Sequence, residues 1–211
     1  IVDFYQRHKN YNKLVKKITI NDTKEDKQIL SVSTWVYKNI KKISDNDNIV
    51  DSHPWTIVER KMGAKDQSSD ILSVLLVHGD IDSFFISNLN NRKGIFTFFK
   101  YNNNWSLIDP YYGIYFLNNK NQFCNLNEYK YKKCIINHLE FGKISNTQLN
   151  KIFFDKNFKN LDQVNNYYNF LLEGMLEAKK IDSTNIYERG GRSYIQKPFH
   201  RFIFQFQRLI N

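Results

Sequence analysis

The sequence predicts an α+β fold, and two features of the chain carry that prediction. Residues 67–78 are apolar at nearly every position, which is typical of a helix that is buried on all sides. Three later segments, 81–88, 95–101 and 105–108, are rich in aromatic and β-branched residues and are separated by short polar turns. Helices followed by hairpin-connected strands are typical of the α+β class.

An amphipathic helix is predicted over residues 24–43, ahead of the buried helix. Thr23 and Asp26 have the spacing of a capping box, which places the start of the helix there. The apolar residues that follow recur at helical spacing: Ile29, Val32, Val36, Ile40 and Ile43. Residues 54–62 begin with Pro54 and Trp55, and we expect them to form a short ordered connection.

Glycines and asparagines mark the ends of the central elements. Gly63 opens the turn that leads into the buried helix, and Gly79 ends that helix. The three asparagines at 102–104 form a tight turn, so the strands on either side of it are predicted to pair as a hairpin.

The pattern weakens after residue 112. Residues 125–139 and 145–154 are predicted to form short helices, and 161–180 a longer one with apolar side chains on one side. We therefore divide the chain into a core over residues 1–122 and a mostly helical C-terminal extension, 123–211, packed on that core.

The composition indicates a packed domain. The chain has 211 residues, of which 17 are Phe, 13 Tyr and 3 Trp, with few Gly and Pro, and this excludes a disordered chain. No apolar run approaches the roughly 20 residues that a membrane helix needs, and no signal-peptide pattern is present. The chain begins with Ile1 rather than Met, so a fragment or a processed product is expected. The sequence leaves the location open between the cytoplasm and, if an anchor was removed from the N-terminus, the cell envelope.

The formal net charge of +10 leaves a polyanion-binding surface open as an alternative. Nucleic acid is disfavoured as a partner, because the basic residues are spread along the chain and no nucleic-acid-binding motif accompanies them. Cys124 and Cys134 lie ten residues apart, and two free thiols are favoured over a disulfide. No cluster has metal-ligand spacing, and no cofactor is predicted.

Three segments in order resemble the transglutaminase-like superfamily, which has a papain-like fold. The helix around 33–36 resembles the helix that leads into the core of these domains. Residues 62–68, Met-Gly-Ala-Lys-Asp-Gln-Ser, resemble a Gly-x-Cys-Asp-Gln turn in which the cysteine nucleophile starts a buried helix. Residues 105–113, Trp-Ser-Leu-Ile-Asp-Pro-Tyr-Tyr-Gly, resemble an ending in which the aspartate orients the catalytic histidine. The resemblance implies a buried helix packed against an antiparallel sheet.

The resemblance also implies that the catalytic groups have been replaced. The position of the cysteine falls on Lys65, and the position of the histidine falls on Phe96, give or take one residue; Asp109 is retained. A thiolate activated by an imidazole therefore cannot form at these positions. We expect Lys65 to form an ion pair with Asp109 in place of the missing histidine.

The leading hypothesis is a pseudoenzyme that binds a protein or glycan ligand, in keeping with the bacterial cell-surface and polysaccharide systems in which related domains occur. Tyr111, Tyr112 and Tyr115 are the candidate binding residues beside the degenerate site. The alternatives are an active hydrolase or acyltransferase with a relocated nucleophile at Ser68, Ser69 or Lys65, and a basic domain that binds a polyanion.

Overall fold

A computed structural model describes residues 2–43, 53–87, 95–130 and 133–179 of the chain. The helices in these ranges are α1 (Val2–Ile18), α2 (Glu25–Asn39), α3 (Pro54–Arg60), α4 (Lys65–His78), α5 (Leu126–Lys130), α6 (Leu149–Ile152) and α7 (Leu161–Lys179). The strands are β1 (Lys41–Lys42), β2 (Met62–Gly63), β3 (Ser83–Ser87), β4 (Ile95–Tyr101), β5 (Asn104–Asp109), β6 (Ile114–Leu117), β7 (Ile135–His138) and β8 (Gly142–Lys143). The part of the predicted extension beyond residue 179 lies outside the described residues.

The α+β class and the buried helix are confirmed. Helix α4 packs against α1, α2 and α3 on one side and against β3 and β4 on the other. Its residues Ile71, Leu72 and Leu75 are completely buried, as expected for a helix that is apolar all round.

The sheet has six antiparallel strands in the order β3-β4-β5-β6-β7-β8, so every strand pairs with its neighbour in sequence. Strands β4 and β5 pair with Tyr101 opposite Asn104, which leaves only two residues for the turn. Those residues, Asn102 and Asn103, have φ values of 48° and 60°. Asparagine tolerates this left-handed conformation better than most residues, so the Asn-rich turn fits a tight hairpin. Separately, β1 and β2 form a short parallel pair.

Helices cover both faces of this sheet. On one face Phe99 and Ile108 join the core that α1 to α4 make. On the other face Phe96, Phe98 and Leu107 join a second core with α6 and α7. Successive strand residues point to opposite faces, so the alternation of Phe98 and Phe99 divides the strand between the two cores.

Three local predictions for helices were wrong or incomplete. Residues 54–62 contain helix α3 rather than a connection, and the His53 ring accepts a hydrogen bond from the Trp55 backbone N–H at the start of that helix. The cap residue of α2 is Lys24, which makes no side-chain capping hydrogen bond, so the predicted capping box at Thr23 does not form. Helix α1 was not predicted, because few of its residues are buried.

The region 125–139 was predicted as a helix, but of its described residues only those of α5 are helical. Strand β7 instead adds to the sheet beside β6, with Ile114 opposite His138. Strands β7 and β8 lie beyond the predicted boundary at residue 122 and continue the sheet of the predicted core.

The preference for two free thiols was wrong. Cys124 and Cys134 form a disulfide, with their Cα atoms 6.0 Å apart. The spacing of the two cysteines in the sequence did not decide whether their geometry would allow a bond.

Candidate functional site

Gly63 and Gln67 fix the start of α4. A Cβ added to Gly63 would lie 3.1 Å from the side chains of both Ile40 and Ile57, so a larger residue would force its neighbours to shift. The Gln67 Oε1 atom accepts a hydrogen bond of 3.0 Å from the Ala64 backbone N–H, which satisfies a donor just before the helix. The first residue of α4 is therefore held in a well-defined position.

That first residue is Lys65, and its side chain is only 7% exposed. Its Nζ atom lies 4.4 Å from the centroid of the Tyr112 ring and 5.8 Å from that of Tyr111. The positive end of the helix dipole disfavours a cation here, whereas the negative faces of the aromatic rings favour one. The position predicted for a nucleophile thus holds an ammonium group over a tyrosine.

Asp109 ends β5 and is 1% exposed. Its Oδ1 atom accepts hydrogen bonds from the backbone N–H groups of Tyr111 (3.1 Å) and Tyr112 (3.2 Å). Its Oδ2 atom accepts a hydrogen bond of 3.1 Å from the Tyr168 hydroxyl. Burial, reinforced by the nearby Asp109, raises the pKa of Tyr168, so the phenol keeps its proton and remains a donor. The Asp109 carboxylate therefore stabilises the β5–β6 turn and connects it to α7. The ion pair of Asp109 with Lys65 stays a prediction.

Phe96 lies on the face of the sheet that α7 covers. It is completely buried, and its ring centroid is 5.9 Å from that of Tyr168. The next residue, Thr97, points the other way, and its hydroxyl donates a hydrogen bond of 3.0 Å to the Ser69 carbonyl in α4. Neither residue carries an imidazole. The position predicted for the catalytic histidine and the residue after it therefore supply no general base.

The structure brings two of the three candidate binding tyrosines together. The rings of Tyr111 and Tyr112 meet edge to face, with centroids 5.2 Å apart. Tyr115 lies in the core on the other face of the sheet, where its ring approaches Phe123. All three side chains are buried, so their rings contribute mainly to packing within the described residues.

Lys42 joins this site through the short parallel pair, in which it lies opposite Gly63. Its Nζ atom lies 4.6 Å from the ring centroid of Tyr37, 5.1 Å from that of Phe154 and 5.5 Å from that of Tyr111. Burial lowers the pKa of Lys42, and the charge of Asp109 opposes that shift.

We call this group the aromatic–lysine cluster, and its members are Tyr37, Lys42, Lys65, Tyr111, Tyr112 and Phe154. Phe154 is 54% exposed, so it carries the cluster to the surface. Sequence reasoning missed Lys42, because only the pairing of β1 with β2 brings it to the start of α4.

Asp155 anchors the cluster from the α7 side of the molecule. The Tyr112 hydroxyl donates to the Asp155 carboxylate, with distances of 2.6 and 2.7 Å to its two oxygens. Burial and this hydrogen bond raise the pKa of Tyr112, so its phenol is protonated at neutral pH. A neutral Tyr112 does not act as a general base.

His138 is a buried histidine that sequence reasoning also missed. It reaches the cluster because β7 pairs with β6, and its Nε2 atom lies 3.2 Å from the Tyr37 hydroxyl. The Glu140 backbone N–H donates to its Nδ1 atom at 3.1 Å, so the ring hydrogen of the neutral form lies on Nε2. Burial lowers the pKa of His138 to about 4; Lys42 and Lys151 act in the same direction, whereas Glu140 and a hydrogen bond with the Tyr112 backbone oppose the shift.

Among the described residues, the two serines considered as relocated nucleophiles differ: the Ser68 hydroxyl makes a hydrogen bond, whereas the buried Ser69 hydroxyl has no hydrogen-bond partner. The Ser68 hydroxyl donates a hydrogen bond of 3.0 Å to the Ala64 carbonyl, which is common for serine in the first turns of a helix. Ser69 is completely buried against β4, where its backbone carbonyl accepts a hydrogen bond from the Thr97 hydroxyl. A nucleophilic role for either serine stays untested.

Within the described residues, no group of three or more His, Cys, Asp or Glu side chains is placed to hold a metal ion. The helices of the same residues include none with the length and apolar character needed to cross a membrane.

The comparison with solved structures finds a crystal structure of a candidate cysteine protease from Cytophaga hutchinsonii. The two chains are 16% identical and superpose with a TM-score of 0.41, over 53% of this chain and 42% of that one. This chain therefore matches less than half the length of that protein. No protein-family model matches the chain. No curated protein matches it either.

Proposed function

We propose that the chain is a transglutaminase-like domain without catalytic activity, whose former active-site region serves as a binding surface for a protein or glycan ligand. The observation that carries this proposal is Lys65 at the first position of α4, with its ammonium held over the Tyr112 ring. In an active member of the resembled family, that position supplies the attacking sulfur.

The cysteine chemistry of the chain supports the proposal. The chain contains two cysteines, and both are used in the Cys124–Cys134 disulfide. A thiolate is the nucleophile in thiol-dependent acyl transfer, and a disulfide sulfur cannot take that role. The chain in this state therefore offers no sulfur nucleophile anywhere.

The hydrogen bonds of Asp109 support it as well. A carboxylate that orients a catalytic imidazole needs an oxygen directed at that ring. Both oxygens of Asp109 accept hydrogen bonds from tyrosine groups, two from backbone N–H and one from the Tyr168 hydroxyl. The retained aspartate thus has a structural task that accounts for its burial without catalysis.

The accessible part of the aromatic–lysine cluster is the surface that we assign to ligand binding. Phe154 is exposed, and its ring centroid lies 5.1 Å from the Lys42 Nζ atom and 6.0 Å from the centroid of the Tyr111 ring. An exposed aromatic ring beside a cation is typical of binding residues, since it supplies apolar area and a directed charge at one place. Ligand-dependent thermal shifts that Phe154→Ala removes would support this assignment.

Covalent labelling tests the absence of catalysis. Wild-type protein is treated with iodoacetamide and, separately, with a fluorophosphonate, and labelled sites are mapped by peptide mass spectrometry. We expect no labelling of the folded wild type by either reagent. In the control variant Lys65→Cys, iodoacetamide should label position 65, which shows that the reagent reaches the start of α4. Fluorophosphonate labelling of Ser68 or Ser69 would overturn the proposal in favour of a relocated serine nucleophile.

Salt dependence separates the proposal from polyanion binding. A polyanion releases counterions when basic residues neutralise it, so its affinity falls steeply as salt rises. We expect heparin, used as the probe, to bind weakly and without sensitivity to Phe154→Ala. Tight heparin binding that weakens steeply between low and physiological salt would instead favour the basic-surface alternative.

A further inference from the structure

Helix α1 carries a basic face that has no part in the aromatic–lysine cluster. Residues 4–20 contain no Asp or Glu. Because side chains of a helix repeat every 3.6 residues, positions 5, 9, 13 and 16 lie along one side of α1. Four lysines on and beside this line are exposed: Lys9, Lys13, Lys16 and Lys17. Within the described residues, none of these four forms an ion pair. Helix α1 therefore presents four ammonium groups to the solvent.

An exposed apolar side chain lies at each end of this row of lysines. Tyr5 is 68% exposed and precedes Lys9 by about one helical turn. Ile20 is 79% exposed, follows Lys17 just after the end of α1, and is the most exposed large hydrophobic side chain among the described residues. The surface therefore combines positive charge with apolar area that the fold leaves in water.

The opposite face of α1 holds the helix on the core. Tyr11 and Val15 are 5% and 4% exposed. The Tyr11 ring centroid lies 5.0 Å from that of Trp55 in α3 and 4.7 Å from that of His78 in α4. These contacts fix the lysines on the outer side of the helix. They also place α1 against the end of α4 that is opposite Lys65, so the basic face is distinct from the aromatic–lysine cluster.

We propose that the exposed face of α1 binds the surface of a bilayer that contains anionic phospholipids. The lysine ammonium groups contact the phosphate and carboxylate groups of the lipid heads, and each lysine strengthens binding roughly fivefold. Tyr5 and Ile20 enter the boundary between heads and acyl chains, where a tyrosine keeps its hydroxyl in water. A soluble polyanion satisfies the lysines but offers no apolar phase to Ile20, so the combination favours a membrane surface. Helix α1 stays packed on the core, and the protein binds peripherally.

Co-sedimentation of the whole chain with lipid vesicles tests this proposal. Vesicles of phosphatidylcholine with about 30% phosphatidylserine are compared with vesicles of phosphatidylcholine alone. We expect binding to the anionic vesicles and little binding to the neutral ones. Lys9→Gln/Lys13→Gln should weaken binding about thirtyfold, from roughly fivefold for each lysine. Tyr5→Ser/Ile20→Ser should weaken it about tenfold or more, because the apolar contribution scales with the area buried in the interface.

Two matched controls separate this face from the rest of the surface. Lys120→Gln/Lys159→Gln removes the same charge from exposed lysines outside α1, and Phe170→Ser removes an exposed ring of α7. Both controls should bind the anionic vesicles as the wild type does. Equal binding to the two kinds of vesicle, or binding to neither, would overturn the proposal. An equal loss in the two lysine pairs would overturn it as well, because net charge would then be sufficient. Binding that depends on the lysines but not on Tyr5 and Ile20 would also overturn it, since no side chain would enter the bilayer.

Discussion

Acidification is expected to destabilise the fold through His138. This side chain is 0% exposed, and burial lowers its pKa to about 4 from the ordinary value of 6.5. Protonation would place a hydrogen on Nδ1, which now accepts the Glu140 backbone N–H. It would also put a positive charge near Lys42 and Lys151.

The magnitude follows from the difference between the two pKa values. Between pH 6.5 and pH 4 the unfolded chain binds a proton at His138 that the folded chain does not bind, so stability falls as the pH falls. Above pH 6.5 His138 is neutral in both states and its titration does not affect stability, whereas at pH 4.5 the free energy of unfolding has fallen by at most about 2.5 kcal/mol, at roughly 1.4 kcal/mol for each pKa unit.

Urea unfolding at pH 7 and pH 4.5 measures this loss when the wild type is compared with His138→Gln. Glutamine retains a donor for Tyr37 but does not titrate. Carboxylates elsewhere titrate in both proteins, so their contribution cancels when the two losses of stability are compared. We expect the variant to be less stable at pH 7 and to lose about 2 kcal/mol less than the wild type on acidification. An identical loss in the two proteins would refute the assignment of a buried neutral imidazole to His138.

Three further predictions concern stability and are measured by urea unfolding at pH 7. Lys65→Ala should lower the free energy of unfolding by roughly 3–5 kcal/mol if the lysine pairs with the carboxylate at the end of β5. The loss should be about 2 kcal/mol if the lysine contacts only the tyrosine rings. An unchanged free energy of unfolding would contradict both interpretations. Replacing Cys124 and Cys134 by serine should cost about 3 kcal/mol, from the loop that the disulfide closes; an unchanged midpoint would show that the bond does not form. Gly113→Ala should lower the free energy of unfolding more than Gly142→Ala. Both glycines have positive φ (71° and 63°), but only at Gly113 would an added Cβ lie 2.9 Å from an aromatic ring. Equal losses in the two variants would refute the steric argument.

The sequence was sufficient to predict the elements that have a strong local pattern. The helix α4 is apolar on every side, and the hairpin of β4 and β5 has an Asn-rich turn, so both were predicted without knowledge of their neighbours. Strand β7 was missed because its two inward polar residues, Asn137 and His138, hide the alternation of a strand. Its place in the sheet depends on pairing with β6, which is a tertiary contact.

The candidate site was predicted only in part, for the same reason. Lys65 and Asp109 were identified from motifs that are continuous in sequence. Lys42 and His138 reach the same region through strand pairings, 23 and 73 residues from Lys65 along the chain. Such non-local approaches carry no signal in spacing or periodicity.

Turnover on a protein substrate distinguishes a structural ammonium group at the start of α4 from a nucleophile at that position. Casein is incubated with the wild type and with Lys65→Ala, and ammonia release and new amino termini are both measured over a day. Neither protein is expected to exceed the rate of a buffer blank. Turnover by the wild type that Lys65→Ala abolishes would contradict this expectation, because Lys65 would then be a catalytic residue.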